Sequence, residues 1–309
     1  MPTHSTEVWL GFTALVATLL ILDLGVLNRR SHTLSIREAS LWSGTLVLIA
    51  GLFGAFLWWR EGSQTGIEFY TGYLVELSLS VDNLFVFILI FQYFAVPPAL
   101  QPRVLKWGIL GAIVMRAIMI ALGTVLLTRF HWIIYVFGGI LIVTGLRMLR
   151  VGDEKIDPER NPLVRFARRF LPISPGYEGQ AFLVRPAGKL MFTPLFLVLL
   201  VVEWSDVVFA IDSIPAIFAI TRDPFIVYSS NVFAIVGLRA LFFVLSGAMT
   251  AFAHLKPGVA AILVFVGAKM TMAAWLHIPA LASLAVILTT LTVSILASMW
   301  KNRREAKLA

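Results

Sequence analysis

The sequence predicts an all-α, polytopic membrane protein, and three observations support this class. Hydrophobic residues make up 59% of the 309 residues and charged residues only 14%, whereas soluble domains carry about 25% charged residues. Mean hydropathy is +0.88. Apolar runs of about 20 residues, the length that crosses a bilayer as a helix, recur along the whole chain. We therefore expect residues 1–309 to form a single transmembrane domain.

Nine apolar runs predict nine membrane-spanning helices. They lie at residues 7–27, 41–59, 68–91, 107–128, 132–150, 190–213, 231–253, 257–275 and 280–300. A long polar connection, residues 151–189, separates the fifth run from the sixth. Within it, apolar residues share one helical face and arginines lie opposite, which predicts a helix lying in the membrane interface. The apolar residues are Leu163, Phe166, Ala167, Phe170 and Leu171.

The distribution of positive charge predicts the direction in which the chain crosses the membrane. Lysine and arginine concentrate in one set of alternate loops, and the other set contains only Arg60, Arg129 and Arg222. Because positively charged loops stay in the cytoplasm, we expect the N-terminus outside and the C-terminus inside. The net charge of +8 then suits anionic lipid headgroups, and no nucleic-acid partner is predicted.

Two acidic phrases inside the apolar segments match each other. Residues 76–83 read Glu-Leu-Ser-Leu-Ser-Val-Asp-Asn, and residues 206–213 read Asp-Val-Val-Phe-Ala-Ile-Asp-Ser. Further along, Ile-Val-Met-Arg-Ala at 113–117 matches Val-Gly-Leu-Arg-Ala at 236–240. Gly-Leu-Arg-Met at 145–148 likewise matches Gly-Ala-Lys-Met at 267–270. These matches predict an internal repeat of three spans, with repeat A at 68–150 and repeat B at 190–276.

Three spans in each repeat predict that the two copies cross the membrane in opposite directions. Inverted repeats are typical of secondary transporters, whose sites lie near the bilayer midplane between the two copies. Two helices at 7–59 precede the repeats, and a last helix with a basic cytoplasmic tail at 280–309 follows them. A duplicated scaffold without a transport role is the alternative interpretation.

Ionisable side chains within the spans are candidate functional residues, because a charge in hydrocarbon is costly. Five acids and three bases would leave two negative charges, which one divalent cation would neutralise. We prefer the ligand role for Asp82 and Asp212, and structural ion pairs for the three bases. The acids are Glu76, Asp82, Glu203, Asp206 and Asp212, and the bases are Arg116, Arg239 and Lys269.

The ligand chemistry predicts a hard divalent cation. Carboxylates, Asn83 and Ser213 offer oxygen, which suits magnesium, calcium or manganese, whereas the chain contains no cysteine and these spans no histidine. Pro215 lacks a backbone N–H and clashes with the carbonyl of the residue four positions before it. We therefore expect the helix to unwind near 211–215, which would turn Asp212 inward and release carbonyls that can coordinate ions.

Other polar residues receive structural interpretations. Asp23 lies near the cytoplasmic end of the first span, where we expect it to pair with a loop arginine. Residues 229–231, Ser-Ser-Asn, precede the seventh span and are interpreted as its cap. No nucleophile has a base at a recognisable spacing and no phosphate-binding loop occurs, so we predict neither an enzyme activity nor a permanent cofactor.

The acidic motifs resemble those of a known family. Residues 193–243, which include VEWSDVVFAIDSIPA, are similar to the signature region of the TerC family. Residues 76–87, ELSLSVDNLFVF, resemble its first motif, and Leu-Asp-Leu-Gly-Val-Leu at 22–27 also fits. The resemblance runs over nearly the whole chain and is closest to the nine-span, Alx-like branch.

The resemblance implies a bacterial cytoplasmic-membrane protein, placed near the inverted-repeat exporters of the LysE superfamily. Several members are linked to manganese export, so we expect Mn²⁺ as a transported substrate, held between Asp82 and Asp212, with proton antiport as the expected coupling. The family is named for tellurite resistance, but that name is a poor guide to the chemistry of this chain. A tellurite-reducing site would use thiols, and the chain has no cysteine. By motif, the resemblance assigns ion binding to Glu76, Asp82, Asn83, Asp206, Asp212 and Ser213. Glu203 belongs to the signature but has no acidic counterpart in repeat A.

Two other interpretations stay open. The same site would also suit calcium, magnesium or a small organic solute as cargo. Alternatively, the protein acts without transport as an assembly or stress-response factor, as some plant relatives suggest, and docks its partners on the cytoplasmic loop. The buried, paired acids favour transport over assembly. No oligomeric state is predicted.

Overall fold

The computed structural model describes residues 5–23, 35–122, 132–150, 169–218, 220–251, 255–272, 275 and 278–308. Within these residues the chain forms nine helices and one short hairpin. The helices are α1 (Thr6–Ile21), α2 (Ile36–Glu61), α3 (Ser63–Tyr93), α4 (Gln101–Leu122), α5 (Trp132–Arg150), α6 (Pro194–Phe218), α7 (Pro224–Ala251), α8 (Leu255–Thr271) and α9 (Ala280–Leu308). The antiparallel strands β1 (Leu183–Val184) and β2 (Met191–Phe192) precede α6 and flank a 3₁₀ turn at Pro186–Gly188.

The all-α membrane class is confirmed. Each apolar run that predicted a span overlaps with one of these helices. Five helices in the described part of the chain are long and apolar enough to cross a bilayer by length and composition, namely α2, α3, α4, α6 and α7. That all nine helices span the membrane stays a prediction.

The junction between α2 and α3 shows how local sequence sets helix boundaries. Ser35 and Glu38 form a reciprocal capping box at the start of α2, in which each side chain accepts a hydrogen bond from the other residue's backbone N–H. Gly62 ends the helix with a φ of 102°, a conformation that residues with a side chain rarely adopt. The chain therefore passes from α2 into α3 through a single residue.

Helix α3 lies at the centre of the bundle and contacts α2, α6, α7, α8 and α9. One apolar core joins the C-terminal half of α3 to α4, α6, α7 and α8. A second core joins α1 and α2 to the beginnings of α3 and α7, and it is rich in aromatic rings such as Phe12, Phe53 and Phe233. Both acidic phrases are consequently carried on helices that lie inside the bundle.

Helices α5 and α8 pack closely along each other in antiparallel directions. A Cβ at Gly138 would lie 2.8 Å from the carbonyl oxygen of Gly267, and a Cβ at Gly267 would lie 2.6 Å from that of Gly138. At the second contact, a Cβ at Gly145 would lie 2.8 Å from the carbonyl oxygen of Ala260. Small residues at both contacts allow the two backbones to touch, as is common between membrane helices.

The predicted unwinding at 211–215 is wrong, because α6 continues through Pro215 to Phe218. A proline removes one backbone hydrogen bond, and helices packed among other helices tolerate that loss. Most of the predicted interfacial helix, residues 163–168, lies outside the described residues. Its last three residues, 169–171, lie in a turn and a bend.

Candidate ion-binding site

Arg116 of α4 connects three helices through its buried guanidinium group. Its Nη1 donates hydrogen bonds to Glu76 Oε1 of α3 at 2.6 Å, to Ser213 Oγ of α6 at 2.9 Å, and to Asn231 Oδ1 of α7. Asp206 of α6 accepts longer bonds from Nε and Nη2, both at 3.5 Å. Arg116 is 1% exposed and Glu76 0% exposed, so water does not compensate these charges.

A second ion pair joins α3 to α8. Lys269 Nζ lies 3.4 Å from Asp82 Oδ2, and both side chains are largely buried. Asp82 lies six residues after Glu76 on the same helix. The two acids of the first phrase therefore have different cationic partners, Arg116 and Lys269.

The two ion pairs border one small cavity, which we call the central cavity. Its polar lining consists of Glu76, Asp82, Asn83, Arg116, Ser213 and Lys269. The enclosed space accommodates about one water molecule. Glu76 Oε2 and Asn83 Oδ1 are buried and accept no hydrogen bond from any described residue. Two lining residues thus present acceptor atoms without a donor among the described side chains, which is unusual in a folded interior.

The charges around the central cavity do not cancel among the described side chains. Taken as ionised, the three carboxylates of Glu76, Asp82 and Asp206 face the two cations of Arg116 and Lys269. Among these five side chains one negative charge is left over.

Arg239 does not join this group, although the predicted repeat pairs it with Arg116. Its Nη2 donates to Asp23 Oδ1 at 2.5 Å and to the carbonyl oxygen of Asp23 at 3.2 Å. Trp42 Nε1 donates to the same carboxylate oxygen at 2.6 Å. Asp23 therefore pairs with an arginine inside α7. The loop arginines that follow it, Arg29 and Arg30, lie outside the described residues, so the expected pairing with a loop arginine stays a prediction.

A second cavity, lined mainly by apolar side chains, lies between α3, α4, α6 and α7. Asp206 and Arg239 are the charged residues that line it, and its volume also accommodates about one water molecule. Asp206 consequently lies between this cavity and the Arg116 guanidinium group.

Glu203 is not part of the central group, and the place of Asp212 in it stays open. Glu203 is partly buried on α6 and packs against Gly111 of α4, where a Cβ would overlap the carboxylate. It lines neither of the two cavities. Asp212 belongs to the backbone of α6, but its side chain lies outside the described part of the structure, so its predicted position opposite Asp82 stays a prediction.

No three histidine, cysteine, aspartate or glutamate side chains among the described residues are grouped closely enough to hold a metal ion. The cationic groups of Arg116 and Lys269 stand beside the carboxylates instead. A metal ion would therefore have to replace at least one of these cationic contacts.

Asn231 is a site residue that sequence reasoning missed. We interpreted residues 229–231 as the cap of the seventh span, but α7 begins at Pro224. Asp223 is the capping residue, since its Oδ1 accepts a hydrogen bond from the Phe225 N–H at 2.9 Å. An aspartate followed by proline is a typical helix start, and that signal would have placed Asn231 two turns inside the helix.

The chain matches a known protein family and several of its relatives. Residues 61–306 match the family described as "Integral membrane protein TerC family". The chain is 50% identical to "Uncharacterized membrane protein STKORF319" of Myxococcus xanthus over 299 residues, which cover 97% of this chain and 94% of the relative. It is 47% identical over 308 residues to "Putative membrane-bound redox modulator Alx" of Salmonella typhi, and 46% identical to the protein of that name from Escherichia coli K12; both alignments cover 97% of this chain and 96% of the relative. No solved structure matches the chain.

Proposed function

The chain belongs to the TerC family of integral membrane proteins, and from this we propose that it is a secondary transporter that exports a divalent cation, manganese, from the cytoplasm. The observation that carries the proposal is the central cavity. Two buried carboxylates, those of Glu76 and Asp82, line it together with the cationic side chains of Arg116 and Lys269. A third buried carboxylate, that of Asp206, also pairs with Arg116. Ionisable groups within membrane spans are generally functional.

The helix contacts support an inverted repeat built from α3–α5 and α6–α8, within nine spans. In such a repeat α3 corresponds to α6, α4 to α7 and α5 to α8, so each contact between helices should have a counterpart between the corresponding helices. The counterpart of the α3–α7 contact is the α4–α6 contact, and both occur. The same correspondence relates the α3–α8 and α5–α6 contacts. It also relates the Gly138–Gly267 approach to that of Gly145 and Ala260. Transporters of this architecture bind their cargo where the two copies meet.

The chemistry of the central cavity favours a hard cation. Its oxygen-bearing side chains are Glu76, Asp82, Asn83 and Ser213, and its described lining contains no cysteine or histidine and only one sulfur, the thioether of Met270. Such ligands suit manganese, magnesium or calcium. The space for about one water molecule fits an ion that has lost most of its hydration shell.

Lys269 and Arg116 suggest how the cation enters and leaves. In the ion-free protein they compensate the carboxylates, so the empty site does not hold three uncompensated charges in the membrane. An entering cation takes the place of the Lys269 ammonium at Asp82 and engages Glu76 Oε2 and Asn83 Oδ1. When the bundle rocks and the cation leaves, Lys269 returns to Asp82. Protons moving inward supply the coupling in this proposal.

The proposed orientation follows from charge. The central cavity lies between repeats in a bacterial cytoplasmic membrane, with the N-terminus outside and the C-terminus in the cytoplasm. The relatives named Alx carry the description of a redox modulator. Thiol redox chemistry is not open to this chain, because it contains no cysteine.

Manganese flux into liposomes tests the proposal. We expect the wild-type protein to move Mn²⁺, and we expect Asp82→Asn and Asp212→Asn to reduce the flux at least tenfold. Glu68→Gln, at the beginning of α3, is the matched control and should transport normally, because this glutamate accepts a hydrogen bond from Gln64 and does not line the central cavity.

A wild-type protein that moves no divalent cation would contradict export and favour the assembly or stress-response role. Normal flux in both aspartate variants would contradict the site. Competition by calcium or magnesium in the same assay measures which of the hard cations is the cargo.

A further inference from the structure

We propose that Asp23 is a positioning residue for cation transport: its carboxylate neutralises Arg239, and this keeps Asp206 in the electrostatic environment of the central cavity. The inference rests on the proposed transport function and adds the N-terminal helices to it. Asp23 precedes residues 61–306, the part of the chain that matches the family.

The contacts of Asp23 are those of a built ion pair. Arg239 donates to its carboxylate and to its carbonyl oxygen, and Trp42 donates to the same carboxylate oxygen. The side chains of Asp23 and Arg239 are each 2% exposed. Three elements meet at this point: the residue that follows α1, the helix α2 and the helix α7. An aspartate that only ended a helix would have neither donor.

Arg239 faces the central site through the second cavity. Its Nε is buried and donates to no described residue, and Asp206 lines the same cavity. The bonds from Asp206 to Arg116 are long, at 3.5 Å. Asp206 is therefore the carboxylate toward which Arg239 would turn if Asp23 lost its charge.

Loss of the Asp23 charge has two consequences for the cation. The guanidinium group of Arg239 would remain charged in a water-poor interior, since arginine does not deprotonate in proteins. Its positive field would act on a divalent ion in the central cavity through a buried interior, where electrostatic interactions are weakly screened. Arg239 would also compete with Arg116 for Asp206. Both effects weaken cation binding without altering a residue that lines the central cavity.

The test measures Mn²⁺ flux into liposomes over a range of Mn²⁺ concentrations. It compares Asp23→Asn with the charge-balanced double variant Asp23→Asn/Arg239→Gln. We expect Asp23→Asn to raise the half-saturating Mn²⁺ concentration roughly tenfold or more, and the double variant to return within about threefold of wild type. Glu7→Gln is the matched control. It removes an exposed pair that also joins α1 to α2, between Glu7 and Arg60, and should leave the flux unchanged.

Each outcome supports or overturns the inference. Rescue by the double variant supports a charge effect, because a structural clamp would be lost in both variants. Equal loss in the single and double variants, or wild-type affinity in Asp23→Asn, overturns it while the export function stands. A wild-type protein without divalent flux overturns the export function and this inference together. Thermal unfolding of each purified variant shows that the compared proteins are folded.

Discussion

Replacing Lys269 by methionine tests whether the cargo occupies the place of a built-in cation. Methionine has a similar length and no charge, so the substitution removes the ammonium group beside Asp82 and keeps most of the packing. At the observed 3.4 Å separation, the attraction is about 5 kcal/mol for an effective dielectric constant of about 20. Leaving one partner of such a buried pair unpaired costs about 3–5 kcal/mol, so we expect a clearly lower unfolding temperature for Lys269→Met.

Manganese should restore this variant more than it stabilises the wild type. Binding stabilises a protein by about 4 kcal/mol when the free ion exceeds its dissociation constant about a thousandfold. In the wild type, part of that free energy replaces the Lys269 contact, whereas the variant has no such contact to lose. The rise in unfolding temperature with Mn²⁺ should therefore be larger in Lys269→Met, and its half-saturating Mn²⁺ concentration lower.

The assay is thermal unfolding of the detergent-solubilised protein across a Mn²⁺ titration. Asp82→Asn/Lys269→Met is the control, because it removes both charges: it should unfold near the wild-type temperature and respond weakly to Mn²⁺. Equal manganese responses in the wild type and Lys269→Met would refute the exchange of Lys269 for the cation. Stability of Lys269→Met at the wild-type level without manganese would refute the buried ion pair itself.

Two further predictions concern parts of the fold outside the site. Gly138→Ala should lower the free energy of unfolding by about 1–3 kcal/mol, because its Cβ would lie 2.8 Å from the Gly267 carbonyl oxygen; Gly139→Ala, with nothing within 4 Å of its Cβ, should be neutral or stabilising in the same thermal assay. Tyr177→Phe should cost about 1–2 kcal/mol, because the Tyr177 hydroxyl donates to the Phe94 carbonyl oxygen at 2.7 Å. Burial raises the Tyr177 pKa above its usual value near 10, so the phenol stays protonated and this cost should be constant between about pH 6 and pH 9; a cost that falls over this range would contradict the hydrogen bond.

Local sequence rules predicted the helices well and one of their irregularities badly. Every apolar run overlaps with a helix, because hydropathy over some 20 residues decides which segments leave water. Pro215 was expected to break α6, but the helix continues to Phe218. A proline affects one hydrogen bond, and the packing of α6 against α3 and α4 holds the rest of the helix in place.

The sequence predicted the acidic residues of the candidate site better than it predicted their ion-pair partners. Glu76, Asp82 and Asp206 were identified because acids are rare in apolar segments, and all three are buried. Arg239 was expected to form a structural ion pair, and it does so with Asp23, which lies 216 residues away along the chain and was not among the five candidate acids. Asn231 was missed because the beginning of α7 was placed about two turns too late.

By itself, the sequence determined the class of the protein, the approximate positions of the described helices, and three of the acids that are buried, Glu76, Asp82 and Asp206. These properties depend on the composition of short segments, so each segment can be judged without knowing where the others lie. The tertiary structure alone decided which base neutralises which acid: Arg116 with Glu76 and Asp206, Lys269 with Asp82, and Arg239 with Asp23. Ion pairing inside a membrane protein depends on distances of a few ångströms between helices, and those distances follow from where the helices cross.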